Sequence, residues 1–174
     1  LQYVFEVGGR LNFQGEELVP LDENEVRKTI KILREENVNT IGISLIHSYA
    51  NPTHELRLAD IIAKEYPEAT ISISSRVLPE YREYERTVTT LVDAFVKPHM
   101  SNYLQNIKDE LSPDLRRCPM LVMQSTGGVL SAEQVIDKPI TTALSGPAAG
   151  VLGGSVVAGL AGFKDVITLD AGGT

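Results

Sequence analysis

The sequence contains a single cysteine, Cys118, and no apolar run long enough to cross a membrane. One thiol excludes an internal disulfide and a cysteine-rich zinc site, and it fits a reducing compartment. Basic residues are fewer than acidic ones, and the net charge of −7 argues against a broad surface for nucleic acid or for anionic lipid. We therefore expect a cytoplasmic protein that binds neither nucleic acid nor a membrane.

Helix and strand patterns alternate along the first part of the chain, which is typical of an α/β protein. A capping box formed by Asp22 and Glu25 predicts a helix up to about residue 37, and an apolar strand follows over residues 39–46. A second helix over residues 54–66, capped by Asn51, leads into a strand at 69–74. With 43% apolar residues among 174, the chain can form one domain or one lobe of a larger protein.

The remaining sequence predicts one long helix followed by shorter elements. The long helix covers residues 80–111, and Pro98 is expected to kink or divide it. Its predicted inward face consists of apolar residues at a 3.6 period: Val88, Leu91, Val92, Phe95, Tyr103, Leu104 and Ile107. Next come a strand at 119–124, a short helix opened by a second capping box, a helix of small residues at 148–161, and a strand at 165–169.

The last strand runs into Asp170, Gly172, Gly173 and Thr174, and this combination favours a phosphate loop. Glycines allow the backbone N–H groups to approach a phosphate, and the carboxylate can hold a metal ion or its water shell. The alternative is a tight turn between strands with a capping aspartate. A strand that leads into a phosphate loop is seldom a natural terminus, so we expect the chain to be a piece of a longer protein.

Two other glycine-containing segments are candidates for ligand contact. Gly127 and Gly128 form a tight turn after the strand at 119–124, and a plain turn is the alternative. Ser145 and Gly146 precede the small-residue helix, whose N-terminus could face a phosphate or a carboxylate. A closely packed helix entry explains the same residues without a ligand.

Three further groups of residues have a functional and a structural interpretation. His47, His54 and Glu55 could bind a metal ion, although their spacing matches no standard site, or could stabilise a loop through hydrogen bonds. Arg86 and Thr87 could reach a ligand, or could belong to the solvated, charged start of the long helix. Cys118 has no neighbouring base, which argues against a nucleophilic role.

Five segments of the chain together resemble the A subunit of the hydantoinase/5-oxoprolinase family. They are "HSYANPTHE" (47–55), "SSRVLPEYREYERT" (74–87), "LVMQSTGGVLSAE" (121–133), "LSGPAAGVLG" (144–153) and "DVITLDAGGT" (165–174). The segments occur in the order and spacing of that family and cover nearly the whole chain, which makes them more specific than any one glycine motif.

The resemblance implies an actin-like ATPase fold, of the ribonuclease H-like type, with a mixed sheet flanked by helices and here truncated. Residues 1–144 would form most of the N-terminal lobe, and residues 145–174 the connecting helix and the start of the second lobe with its phosphate loop. The first phosphate loop and the adenine-binding segment of the family have no counterpart in this sequence. We therefore expect the chain alone to be an incomplete, inactive ATPase.

For function, the resemblance implies ATP- and Mg²⁺-dependent hydrolysis of a small cyclic amide, such as a hydantoin or 5-oxoproline, through phosphorylation of the carbonyl oxygen. Asp170 would orient the metal ion as the catalytic residue, Gly172, Gly173 and Thr174 would hold phosphate, and Gly127, Gly128, Ser145 and Gly146 would line the cleft. A hydantoinase B-type subunit or fused domain would be the partner. The alternatives are a subunit of an ATP-dependent ketone carboxylase and a non-catalytic actin-like scaffold.

Overall fold

The computed structural model describes residues 3–112 and 114–172, and these form an α/β protein in two compact units. The first unit extends to Pro98 and the second begins at His99. The two units are separated by how densely their residues contact one another. The lobe boundary that is expected after residue 144 stays a prediction. Among the described residues, no helix has the length and apolarity needed to cross a membrane.

The described part of the first unit contains two small sheets and four helices, the last of which continues into the second unit. In chain order these elements are β1 (Arg10–Leu11), β2 (Glu17–Val19), α1 (Glu23–Glu35), β3 (Thr40–Ile43), α2 (Thr53–Glu65), β4 (Thr70–Ile73), α3 (Ser74–Val77) and α4 (Glu83–Glu110). Strands β1 and β2 pair antiparallel, and β3 and β4 pair in parallel with Thr40 opposite Thr70. The parallel pair is the product of a strand–helix–strand crossover through α2.

Helix α1 begins at the predicted cap, but the second half of the predicted capping box is wrong. The Asp22 carboxylate accepts hydrogen bonds from the N–H groups of Asn24 and Glu25, as expected of an N-cap. The Glu25 carboxylate instead accepts from the N–H of Gly8, at 2.7 Å. Glu25 therefore ties the N-terminal segment to α1.

The core of the first unit lies between α1, α2 and the β3–β4 pair. Its buried members are apolar residues of these four elements, together with one tyrosine: Val26, Ile30, Leu33, Ile43, Leu58, Ile61, Ile62, Tyr66 and Ile73. The Asn51 side chain accepts from the N–H of Thr53, the first residue of α2, but Pro52 and not Asn51 occupies the N-cap position. Ala63 was expected to face inward but is exposed, because the buried stripe of α2 passes through Leu58 and Ile61.

Helix α4 differs from its prediction in two respects. It runs through Pro98 without interruption, so the expected division of the helix is wrong. Its predicted apolar face is also largely exposed, since Val88, Leu91, Val92, Phe95 and Tyr103 face solvent and only Leu104 is buried. The positions of α4 that are buried in the first unit form a mainly polar stripe: Arg86, Thr90, Asp93 and Ala94.

In the second unit, the residues that the structure describes form one hairpin and two further helices. Its elements are a 3₁₀ turn (Leu115–Arg117), β5 (Leu121–Met123), β6 (Val129–Ser131), α5 (Ala132–Asp137), a second 3₁₀ turn (Pro139–Thr142) and α6 (Ser145–Leu160). Strands β5 and β6 pair antiparallel. The capping box at the start of α5 is confirmed, because the Gln134 N–H donates to the Ser131 hydroxyl and the Ser131 N–H donates to the Gln134 side chain.

Two expectations for the end of the chain are wrong. The small-residue helix begins at Ser145 and not at residue 148, and residues 165–169 adopt no strand. Ile167 and Leu169 are 98% and 93% exposed. A strand requires a hydrogen-bonded neighbour, and the described part of the chain provides none at this position. The described strands likewise form three separate two-stranded sheets in place of one mixed sheet.

The link between Lys108 of α4 and Glu133 of α5 gives a pH-dependent contribution to stability. The hydrogen bond from the Lys108 ammonium lowers the pKa of the Glu133 carboxyl from its ordinary 4.5 to about 2, and backbone and Ser131 hydrogen bonds act in the same direction. Because the pKa is lower in the folded protein, this contribution is complete above pH 4.5 and is lost as the pH falls towards about 2.

We expect Glu133→Gln to lower the free energy of unfolding at neutral pH, by an amount that disappears as the pH falls from about 4.5 to about 2. Urea titrations at a series of pH values measure this difference. The control is Glu110→Gln, which removes an exposed carboxylate from the helix that carries Lys108. A stability difference that persists unchanged at pH 2 would contradict the assignment.

Candidate functional site

The predicted phosphate loop lies at the exposed end of the described chain. Asp170 and Gly172 are exposed, and an added Cβ at Gly172 would meet nothing within 4 Å. Gly173 and Thr174 lie outside the described residues. The segment leading to the loop contacts α6, because a Cβ at Gly154 would lie 3.1 Å from the Thr168 methyl group. The role of these four residues stays a prediction.

The turn that contains Gly127 and Gly128 joins β5 to β6 and has a fixed geometry. Gly127 has φ +87°, a left-handed conformation that favours glycine. Its N–H donates to the Gln124 carbonyl, and the Gln124 N–H donates to the Gly128 carbonyl. The backbone N–H and the hydroxyl of Ser125 both donate to the Thr141 carbonyl, at 2.9 and 3.0 Å. These bonds attach the turn to the segment that precedes α6.

Helix α6 begins at Ser145 with an uncapped N-terminus. Leu144, the residue before it, has a left-handed backbone with φ 60°, and this N-cap residue makes no side-chain hydrogen bond to the first turn. The first N–H groups of a helix have no partner within the helix, and here Gly146 also has open space around its Cα. Backbone donors without a cap and with room beside them fit an oxyanion such as a phosphate.

Within the second unit, the structure brings the turn and α6 together. A Cβ on Gly127 would lie 3.0 Å from Cδ1 of Leu152, which is on α6. Four of the predicted site residues, Gly127, Gly128, Ser145 and Gly146, therefore lie on two segments joined by direct contact and by the Ser125–Thr141 bonds. The described structure records no contact between Asp170 or Gly172 and this group.

A second polar cluster, in the first unit, lies where β3 and β4 end. The carboxylate of Glu55, fully buried on α2, accepts three hydrogen bonds: from the N–H of Leu45 at 2.8 Å, the N–H of Ser75 at 2.8 Å and the hydroxyl of Ser74 at 2.6 Å. Leu45 follows β3, and Ser74 and Ser75 follow β4. Ligands of open parallel sheets bind beyond these carboxyl ends, so the location is one where function is expected.

Arg86 belongs to the same cluster and is 1% exposed. Its Nη2 donates to the carbonyl of Leu45 at 2.7 Å, and its guanidinium lies 5.6 Å from the centre of the Tyr49 ring. The Nε and Nη1 atoms are buried and have no hydrogen-bond partner, and the same holds for the hydroxyl of Ser75. The interpretation of Arg86 as part of a solvated helix start is therefore wrong.

The sequence contains a signal for this cluster. Arg86, Thr90, Asp93 and Lys97 follow the spacing of one helix face, and a polar stripe opposite an apolar one marks an amphipathic helix. Which stripe faces the protein depends on what the neighbouring elements offer. Here the neighbouring strands and loops offer polar partners. The Leu45 carbonyl accepts from Arg86, and the Ile71 carbonyl accepts from Lys97. The Ser72 hydroxyl donates to the Asp93 carboxylate.

His47 and His54 both make hydrogen bonds. His54 Nε2 lies 2.7 Å from the Glu17 carboxylate, and His47 Nδ1 lies 3.4 Å from the Tyr49 hydroxyl. Glu55 is occupied by its three donors. Among residues 3–112 and 114–172 no group of three potential ligands could hold a metal ion. The structure thus supports the loop-stabilising interpretation of these residues.

Two family models match the chain. A model described as Hydantoinase/oxoprolinase matches residues 86–174, and a model of the Hydantoinase/oxoprolinase N-terminal region matches residues 1–66. The caprolactamase subunit alpha of Pseudomonas jessenii is 36% identical over 97% of this chain and 24% of its own length. The 5-oxoprolinase 1 of Arabidopsis thaliana is 33% identical over 89% of this chain and 12% of its own length.

Two solved structures have the same fold over most of the chain. The crystal structure of the ATP-dependent caprolactamase from Pseudomonas jessenii matches with a TM-score of 0.76 and 32% identity, over 97% of this chain and 24% of that one. The nucleotide-free structure of acetone carboxylase, an ATP-dependent enzyme, matches with a TM-score of 0.73 and 27% identity. The match covers 90% of this chain and 22% of the acetone carboxylase chain. The chain thus spans about a quarter or less of the length of these relatives.

We expect Gly127→Ala to lower the free energy of unfolding by about 1 kcal/mol or more, because alanine disfavours a positive φ and its methyl group would crowd Leu152. The matched control is Gly146→Ala. Gly146 has helical backbone and open space, so alanine there should raise stability by up to about 1 kcal/mol. Urea unfolding of the three proteins measures both changes, and equal shifts would contradict the geometry of the turn.

Proposed function

Because the chain belongs to the hydantoinase/oxoprolinase family, we propose that it is part of an ATP-dependent enzyme that hydrolyses a cyclic amide by phosphorylating its carbonyl oxygen. The observation that carries the proposal is the match to ATP-dependent caprolactamase over 97% of the chain, with a TM-score of 0.76. A second relative, from a plant, is a 5-oxoprolinase. The fold is the actin-like one in this proposal, with the lobe boundary after residue 144.

The residues of the second unit fit a phosphate group. The uncapped N–H groups at Ser145 and Gly146 supply backbone donors, the glycine turn at 127–128 would line the cleft, and the exposed Asp170 carboxylate supplies the oxygen ligands that Mg²⁺ prefers. Gly172, Gly173 and Thr174 complete the proposed loop. ATP would supply the phosphoryl group that turns a stable amide carbonyl into an electrophile with a good leaving group.

In this proposal, the chain contributes to the reaction by positioning the phosphate group and by stabilising its negative charge. The uncapped backbone N–H groups at the start of α6 are held in place by the helix, so they need no reorganisation when negative charge develops on phosphate oxygens. The Asp170 carboxylate would orient the metal ion or its bound water. The proposed complex is cytoplasmic and includes a hydantoinase B-type subunit or domain, which is consistent with the naming of relatives as subunits.

A ketone carboxylase subunit is the second candidate. The match to the acetone carboxylase structure, with a TM-score of 0.73 over 90% of the chain, favours it specifically. Both reactions place a phosphoryl group on a carbonyl-derived oxygen, so both are compatible with the same phosphate site. The identity of the acceptor, a lactam or a ketone with bicarbonate, distinguishes them.

The deciding experiment measures ATP hydrolysis by the full-length protein together with its partner subunit. We expect stimulation by 5-oxoproline, a hydantoin or caprolactam, and a loss of at least about 100-fold in turnover with Asp170→Ala. Asp165→Ala, which removes an exposed carboxylate from the same segment, is the control and should retain activity.

Other outcomes select other functions. Stimulation only by a ketone with bicarbonate would assign the protein to the carboxylases. No turnover with either class of substrate would leave the non-catalytic scaffold as the better proposal.

A further inference from the structure

The polar cluster at the ends of β3 and β4 contains a charge that the described protein does not neutralise. A guanidinium has five N–H donors, and that of Arg86 uses one of them, on the Leu45 carbonyl. The buried Nε and Nη1 atoms have no acceptor, and no described carboxylate forms an ion pair with Arg86. A buried charge without a partner is costly, so an arrangement of this kind is explained if a ligand supplies the acceptor.

The neighbouring carboxylate does not fill this role. Glu55 receives three hydrogen bonds, from Leu45, Ser74 and Ser75, and none from Arg86. Glu55 and Arg86 hold opposite ends of the same residue: the first accepts from the Leu45 N–H and the second donates to its carbonyl. The Leu45 backbone is therefore fixed from both sides, and the guanidinium is held in place while most of its donors stay available.

A third unpartnered group lies in the same network. The Ser75 hydroxyl is buried without a hydrogen bond, although its own backbone N–H is bound to Glu55. Ser75 follows β4 and Leu45 follows β3, so two strand ends and α4 each contribute to the cluster. We propose that Arg86 and Ser75 form a binding site for a planar, carboxylate-type anion at the carboxyl ends of the parallel strands.

The chemistry of the donors selects this class of ligand. A planar guanidinium matches the two oxygens of a carboxylate or a bicarbonate, and a hydroxyl can donate to either. Leu45, Ser44 and Thr87 also border a largely apolar cavity of about 300 Å³ next to the cluster. The Tyr49 ring covers the guanidinium and contacts the exposed Tyr81, so entry of the anion requires this pair of rings to move.

Two anions can supply the same chemistry: the carboxylate of a small organic acid and bicarbonate. The test titrates the full-length protein, without ATP, with 5-oxoproline and with bicarbonate in a calorimeter. 2-Pyrrolidinone, which has the same ring without the carboxylate, is the ligand control. Only the choice of probes rests on the proposed function. Anion binding without ATP hydrolysis would refute the proposed function and support the anion site. ATP hydrolysis without anion binding would support the proposed function and refute the anion site.

We expect at least one anion to bind and 2-pyrrolidinone not to bind. Arg86→Lys keeps the positive charge and removes the Nε and Nη1 donors, so the affinity for the anion should fall by about tenfold or more. Ser75→Ala should lower it several-fold. Arg76→Lys, which changes an exposed arginine on α3, should leave it within about twofold.

The proposal is overturned if neither anion binds, or if Arg86→Lys and Arg76→Lys have the same affinity as the original protein. Binding of 5-oxoproline alone would identify an organic acid as the ligand, and binding of bicarbonate alone would identify the inorganic anion. If Arg86→Lys does not fold, the several-fold effect of Ser75→Ala decides, because that change removes one buried hydroxyl and retains the N–H bond to Glu55.

Discussion

The first unit depends on a buried carboxylate. Glu55 lies on the helix that connects β3 to β4 and binds the backbone that follows each of these strands, through Leu45 and Ser75. A parallel pair has no tight turn to fix its register, so the connection must be fixed by other means. One side chain that receives hydrogen bonds from both strand ends supplies that constraint, and it does so without exposing the carboxylate to water.

The orientation of α4 follows from the same region. The backbone at Leu45 and Ile71 presents carbonyl groups to the helix, and Arg86 and Lys97 donate to them. Buried carbonyl groups almost always have a hydrogen-bond donor, whereas exposed apolar side chains such as Val88 and Leu91 are common on protein surfaces. The helix therefore turns its polar stripe towards the protein, and the apolar stripe is left on the surface of the described structure.

Local signals in the sequence were sufficient for the starts of α1 and α5 and for the positions of β3, β4 and β5. Asp22 and Ser131 cap the helices for which they were predicted, since a cap depends on residues within one turn. The face of α4 and the strand at 165–169 were predicted wrongly because both depend on partners distant in sequence. For the candidate site, the contact between the 127–128 turn and α6 could be found only from the structure. No sequence pattern indicates that donors of Arg86 are buried without a partner.

The polar stripe that α4 buries in the first unit has a consequence for how stability varies with temperature. Unfolding normally raises the heat capacity because apolar surface is exposed, by about 0.45 cal/K/mol per Å², whereas newly exposed polar surface lowers it by about 0.26. Separating α4 from the first unit exposes Arg86, Thr90 and Asp93, while Val88, Leu91 and Phe95 are already 41%, 52% and 67% exposed. The docking of this helix therefore adds little to the heat-capacity change, and its contribution to stability varies less steeply with temperature than that of an apolar interface of the same area.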